Sequence, residues 1–301
     1  MNGTVRAPFA RFNRLVGVSS CFGTFGELLQ GADPDGTDFL VTMPIACWTT
    51  VRFTLEPDVP GIRVYPAHKY KAVRLARAML SEAGYAGGGR IVVHSGIPEG
   101  KGLASSTADL VATARAIANT LGTPVGPRAV ERLLRGIEPS DGVMYDAVTA
   151  FDHRRVALRG VLGSLPALTI VALDEGGAVD TVRFNQLAKP YTASQRREYA
   201  GLLDALAAAV AEHDLRTVGR IATRSAELNQ HLHTKRTFTR LRAAAEELDL
   251  LGVLTAHSGT VAGLLIADSD PDYRSKRDAA ERACLVLAGN ATVYHSLGFQ
   301  C

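Results

Sequence analysis

The chain has 301 residues, 47% of them hydrophobic and 21% charged, with a formal net charge of +3, a balance that suits a folded globular enzyme of roughly two domains. Arginines scattered among carboxylates leave no footprint for nucleic acid, and no apolar run reaches membrane-spanning length. Cys21, Cys47, Cys284 and Cys301 form no Cys-x-x-Cys pair, which argues against a zinc site or a disulfide framework and for a reducing cytoplasm.

Arg6, Arg11 and Arg14 make the first residues mildly basic; with no apolar stretch after them they read as a solvated arm and not as a targeting signal. From Val16 to Phe53, short apolar runs interrupted by Gly23, Gly26, Gly31 and Asp33-Pro-Asp-Gly36 predict several short strands joined by turns. Cys21, beside one of these glycines, reads as a small buried filler. Lys71 to Ala83 has apolar residues at helical spacing and stops at Gly84, which predicts a helix. Arg90-Ile-Val-Val-His94 follows three glycines and predicts a strand, and Leu110 to Leu121 predicts a helix that stops at Gly122-Thr-Pro124. A further helix is expected over 128–135.

After Phe151 the pattern changes, and a second domain is expected from about residue 156, giving units of 1–155 and 156–301. Leu168 to Leu173 predicts a buried strand, and helices are expected over 194–213, 215–230 and 238–248. A second glycine turn, Ala256-His-Ser-Gly-Thr-Val-Ala-Gly263, precedes the apolar strand Leu264 to Ala267, and another helix and strand close the chain. Strands mixed with helices and hairpins, without a regular βαβ repeat, predict an α+β fold with mixed sheets packed against helices. His231 and His233 show no metal-ligand spacing and read as surface residues.

The segment between the predicted strand at 90–94 and the helix that follows it carries the most chemistry. In Gly96-Ile-Pro-Glu-Gly-Lys-Gly-Leu-Ala-Ser-Ser-Thr-Ala-Asp109, Gly100 and Gly102 let backbone amides approach an anion, Lys101 adds a positive charge, and the helix N-terminus behind them carries roughly +0.5 charge. Ser106-Thr-Ala-Asp109 fits a capping box. Gly96 stands one residue too close to the Gly-Lys, and Gly102 follows Lys101, so the run is not a Walker A loop. Phosphate binding is the expectation from this chemistry; a capped helix after an ordinary glycine loop is the alternative.

Pro98-Glu-Gly-Lys-Gly-Leu-Ala-Ser-Ser-Thr-Ala resembles the phosphate loop of the GHMP kinase superfamily, with Ala104 in place of a glycine, and Gly252 to Leu264 resembles its C-terminal glycine motif. Within that superfamily, Gly26-Glu-Leu-Leu-Gln-Gly31, Gly102 to Asp109, Glu138-Pro-Ser-Asp141 and His257-Ser-Gly-Thr260 are similar to L-threonine kinases of cobalamin side-chain synthesis. Cys21-Phe-Gly-Thr-Phe-Gly26 departs from that group's wording, which opens the acceptor to other alcohols.

The resemblance implies a two-domain GHMP kinase-like fold, ATP and Mg²⁺, and a small alcohol acceptor such as L-threonine. It implies ATP contacts from Pro98, Gly100, Lys101, Gly102, Leu103, Ala104, Ser105, Ser106 and Thr107, with Lys101 supplying catalytic charge. Asp141 would face the acceptor hydroxyl as a base or as a positioning group. Glu27, Gln30, His257, Ser258, Gly259 and Thr260 would complete the acceptor side. Mg²⁺ would take the Ser106 hydroxyl and one carboxylate, Glu138 or Glu131. An ATP-dependent decarboxylase of the same fold, and a sensor that has lost its chemistry, are the other readings. The motifs set neither an oligomeric state nor a pathway.

Overall fold

The computed structural model describes residues 15–177, 189–256 and 258–299, so the N-terminal arginines, His257 and Cys301 lie outside the described residues. The chain opens with two long strands, β1 (Val16–Ala32) and β2 (Asp38–Glu56), paired antiparallel from Val16 opposite Thr54 to Ala32 opposite Asp38. Asp33-Pro-Asp-Gly36 makes the expected turn, with the Gly36 amide donating to the Asp33 carbonyl at 2.9 Å. The short strands expected over 16–53 are instead this single hairpin. Register shifts between Phe22 and Gly23, Thr24 and Glu27, and Glu27 and Leu29 absorb the glycines as bulges, so pairing continues through them.

Next come β3 (Ile62–Tyr65), α1 (Tyr70–Glu82), β4 (Gly88–Ser95), α2 (Ser105–Leu121) and α3 (Pro127–Arg135). Pro127 starts α3, where its missing amide costs nothing. A hairpin of β5 (Val148–Asp152) and β6 (Ala157–Gly163) follows, and the 155/156 division falls in its turn. The remaining elements are β7 (Leu168–Asp174), α4 (Ala193–Ala211), α5 (Leu215–Leu228), α6 (Phe238–Glu247), β8 (Gly252–Thr255), β9 (Val261–Ala267), α7 (Tyr273–Ala288) and β10 (Thr292–His295). Among the described residues, a capping box forms at α4, where Thr192 and Gln195 bond each other's backbone amides.

Among the described residues the strands form one sheet in the order β10-β7-β9-β8-β1-β2-β4-β3, with β5 attached to β2 and β6 to β5. The two halves of that sheet join where Glu27 of β1 pairs with Thr255 of β8. Gly26 makes the junction possible: its φ is +54°, and a Cβ there would lie 2.4 Å from the Thr255 carbonyl oxygen. The larger core lies under β1 and β2, where Phe25, Leu28, Phe39, Val51 and Phe53 meet Leu75 of α1 and Ile117 of α2. A smaller one packs Val171, Leu173, Val253 and Leu264 against Phe238, Leu241 and Cys284. Cys21 is buried, and burial pushes its thiol up to about 12, as an inert filler requires. Among the described residues, no helix is long and apolar enough to cross a membrane.

Candidate active site

The loop from β4 to α2 has a backbone shaped for an anion. Gly100, Gly102 and Ala104 have φ of 70°, 80° and 59°, and such alternation curls amides around a concavity that favours negative charge. Ala104 holds a left-handed conformation at about 1 kcal/mol of strain. No side chain caps α2, so the Ser106–Asp109 capping box does not form. Asp109 is buried and needs a cation, and it turns instead to the Lys69 ammonium at 2.5 Å and the Thr49 hydroxyl at 2.7 Å. Burial still holds the Asp109 carboxyl above its ordinary value against both partners. The first turn of α2 thus offers its amides and its dipole to a ligand.

Gly100, Gly102, Leu103, Ala104, Ser105, Ser106 and Thr107 form one wall of a cavity of about 330 Å³. The turn Glu138–Asp141 forms the wall beside it, and Glu27, Lys69, Lys71, His153 and Ser258 also line the space. That turn is fixed by the Ser140 amide on the His153 carbonyl at 3.0 Å and the Ser140 hydroxyl on the Glu138 carbonyl at 3.1 Å. The Asp141 carboxylate lies 3.5 Å from the Thr107 hydroxyl at the start of α2. Enclosure by protein, then the neighbouring Glu138 carboxylate, push the Asp141 carboxyl up to about 6 against that Thr107 contact. Glu138 is buried, with one oxygen bonded to the Lys71 ammonium and the other, Oε1, lacking a hydrogen-bond partner among the described residues.

Several expected site residues lie elsewhere. Pro98 is exposed and off the cavity. The Lys101 side chain turns away from the cavity to Asp174, with Nζ 2.5 Å from its carboxylate and 2.7 Å from the Gly177 carbonyl. Glu131 is buried inside the fold: its Oε1 accepts from the Tyr145 hydroxyl at 2.7 Å and the Leu158 amide at 2.9 Å. Its carboxylate therefore anchors α3 to the β5–β6 hairpin, and it does not line the cavity. Gln30 is buried off the cavity, with its backbone tied to Ser225 and Asn229 on α5 and its C-cap. Gly259 and Thr260 stand behind the phosphate loop, and His257 lies outside the described residues.

The structure adds groups that motif reading passed over. Lys69 and Lys71 flank the start of α1, where a positive charge opposes the helix dipole; that mismatch was a signal for carboxylate partners nearby. Glu99 pairs with Lys69 at 2.6 Å, and Asp109 and Glu99 together hold the Lys69 pKa up although burial works against its charge. His233, expected at the surface, places Nε2 3.0 Å from the Gly259 carbonyl because α5 ends at Leu228 and the chain folds back. Lys235 is buried and bonds the same carbonyl; burial, opposed by Glu175, Glu27 and Asp174, brings its pKa down to about 8.

Residues 70–151 match the family described as the GHMP kinases N terminal domain. The chain is 34% identical over 271 residues to an L-threonine kinase of Salmonella typhimurium, covering 89% of each chain. The chain belongs to the GHMP kinase family. An L-threonine kinase of Citrobacter freundii is 32% identical over 85% of this chain and 89% of its own length. Homoserine kinase from Cytophaga hutchinsonii has the same fold, with a TM-score of 0.72, 16% identity, and coverage of 99% of this chain and 98% of that one. The α+β architecture is accordingly that of GHMP kinases, and this member is a phosphotransferase acting on a hydroxyl group with ATP as the phosphate donor.

Proposed function

We propose that this GHMP kinase transfers the γ-phosphoryl group of ATP to the side-chain hydroxyl of L-threonine. The acceptor is supported by similarity to two L-threonine kinases along most of the chain. The chemistry is carried by one geometric observation, the Asp141 carboxylate and the uncapped α2 N-terminus facing a common cavity. The divergent run Cys21–Gly26 does not line that cavity among the described residues, whereas Glu27 does, so the departure leaves the acceptor wall in place.

Phosphoryl transfer needs positioning and neutralisation more than covalent assistance. The amides of Gly100 to Ser106 would hold the phosphates, and the helix dipole would offset their charge. Asp141, ionised above about pH 6, would orient the threonine hydroxyl and accept its proton. Glu27 and Ser258, which line the cavity, would supply acceptor and donor atoms for the amino acid's polar groups. A hard divalent cation fits this donor set: Glu138, on the wall beside the one that carries the Ser106 hydroxyl, has a carboxylate oxygen without a hydrogen-bond partner among the described residues. Bound there, Mg²⁺ would neutralise phosphate charge, and Glu138 would hold it in preference to Glu131, which does not line the cavity.

A cytoplasmic enzyme of cobalamin side-chain synthesis agrees with this acceptor and with the free thiols of Cys21, Cys47 and Cys284. The test is incubation of purified protein with ATP, Mg²⁺ and a panel of hydroxy amino acids. L-Threonine O-phosphate and ADP should form in equal amounts without release of carbon dioxide. Absence of ADP with every alcohol would refute the kinase reading, and carbon dioxide release would indicate a decarboxylase.

A further inference from the structure

Asp174 ends β7 behind the phosphate loop, outside the cavity, and no role in the reaction follows from its place in the sequence. Its carboxylate gathers three segments. Oδ2 takes the Lys101 ammonium at 2.5 Å, while Oδ1 accepts from the Thr260 hydroxyl at 2.6 Å and the Gly176 amide at 2.9 Å. Its own backbone is held on both sides by the Asn290 side-chain amide, at 2.8 Å to its N–H and 2.9 Å to its carbonyl. Burial works against the Asp174 charge, yet Lys101, Thr260 and the Gly176 amide together hold its pKa below the ordinary value.

The segments joined there also touch each other. A Cβ on Gly259 would lie 1.9 Å from the Lys101 carbonyl oxygen and 2.4 Å from the Gly102 nitrogen, so the phosphate loop and the C-terminal glycine turn meet backbone to backbone. Lys235 and His233 hold that turn from the other side through the Gly259 carbonyl. Among the three left-handed residues of the loop, Gly100, Gly102 and Ala104, the non-glycine Ala104 is strained, and such a conformation persists only where the surroundings impose it.

We propose that Asp174 is a positioning residue for nucleotide binding: by clasping Lys101 and Thr260 together it locks the phosphate loop onto the C-terminal glycine turn in the shape that receives the triphosphate. Lys101 acts in this as a tether and not as a phosphate ligand. The inference deepens the kinase reading above and rests on it.

The test is calorimetric titration of the full chain with ATP and Mg²⁺, together with steady-state kinetics on L-threonine. Asp174→Asn keeps an acceptor for Thr260 and loses the charge, and Lys101→Met removes the other partner. For a partly exposed pair, each should weaken ATP binding by about two- to fivefold, raising KM for ATP and leaving KM for L-threonine unchanged. The double variant should be no weaker than the weaker single, because both remove one interaction. Lys101→Asp combined with Asp174→Lys should recover part of the loss. Thermal midpoints measured alongside separate loop positioning from general unfolding; if Asp174→Asn fails to fold, Lys101→Met tests the same pair from a solvent-facing loop.

Tighter ATP binding by Asp174→Asn would overturn the proposal, since it would mean that Asp174 withholds Lys101 from the phosphates. Independent, multiplying losses, or no change in ATP affinity, would overturn it too. These failures differ from failure of the kinase reading, in which the unaltered protein binds no ATP. If ATP binding responds as expected but L-threonine is not phosphorylated, the clasp stands and the acceptor assignment falls.

Discussion

Asp141→Asn should inactivate the enzyme and stabilise it. The carboxyl is raised from 3.8 to about 6, first by enclosure and then by Glu138. Two units at about 1.36 kcal/mol each set an upper limit of about 3 kcal/mol on the cost of keeping this charge in the folded protein. Asp141 is partly open to the cavity, so water screens the charge and about 1–2 kcal/mol is the working figure. The folded state holds the proton more tightly than the unfolded chain. The cost is therefore absent below pH 3.8, grows as pH rises towards 6, and is constant above that. Asparagine removes it, so thermal unfolding at pH 8 should show a midpoint about 2–4 °C above the parent, a gain that shrinks to nothing near pH 4. Phosphoryl transfer should fall by about 10²–10⁴-fold at pH 8. A destabilised variant at pH 8, or a stability gain that persists at pH 4, would refute the account of how Asp141 is held.

Three further substitutions separate structural from chemical roles. Glu131→Ala strips partners from the partly buried Tyr145 hydroxyl and Leu158 amide and should cost about 1–2 kcal/mol in urea unfolding, with the Mg²⁺ dependence of the folded fraction unchanged; a shifted Mg²⁺ requirement would return Glu131 to the metal site. Lys71→Met leaves the buried Glu138 carboxylate without its cation, and should destabilise the ligand-free protein by about 3 kcal/mol, with Mg²⁺-ATP restoring part of that in thermal shift. Ala104→Val places a β-branched residue at φ 59°, costing about 1–2 kcal/mol and weakening ATP binding; Ala104→Gly should stay within about 1 kcal/mol of the parent and bind ATP normally.

The helices were legible because their apolar residues recur at helical spacing over long stretches: α1, α4, α5 and α6 lie within about two residues of their expected ends. The first hairpin was not, since a glycine in a bulge and a glycine in a turn look alike in sequence, and only pairing to β2 tells them apart. Among the site residues, Gly100, Gly102, Ser105, Ser106, Glu138 and Asp141 were visible as motifs, and the fold brings them to one cavity. Lys101 looked like a phosphate ligand because charge beside glycines suggests one, but a long side chain can turn to either face of its loop. Its partner Asp174 is 73 residues away in sequence, and nothing local marks the pairing.

The positions where local rules fail nonetheless converge. Ala104 sits in a conformation that favours glycine, α2 begins without a side-chain cap, Lys69 and Lys71 stand at the positive end of α1, and Glu138 buries an oxygen without a partner among the described residues. Each is a small destabilisation, and all four border the same cavity. A fold stabilised elsewhere by its two cores can carry such conflicts where a ligand resolves them. An anion fills an uncapped helix start, a cation completes an orphaned carboxylate oxygen, and phosphate charge offsets lysines at a helix N-terminus. Mg²⁺-ATP brings both kinds of charge at once, so saturating Mg²⁺-ATP should stabilise the protein against unfolding by more than Mg²⁺ and phosphate each do alone. Equal stabilisation by phosphate alone would mean that the cavity is an anion site with no place for the metal.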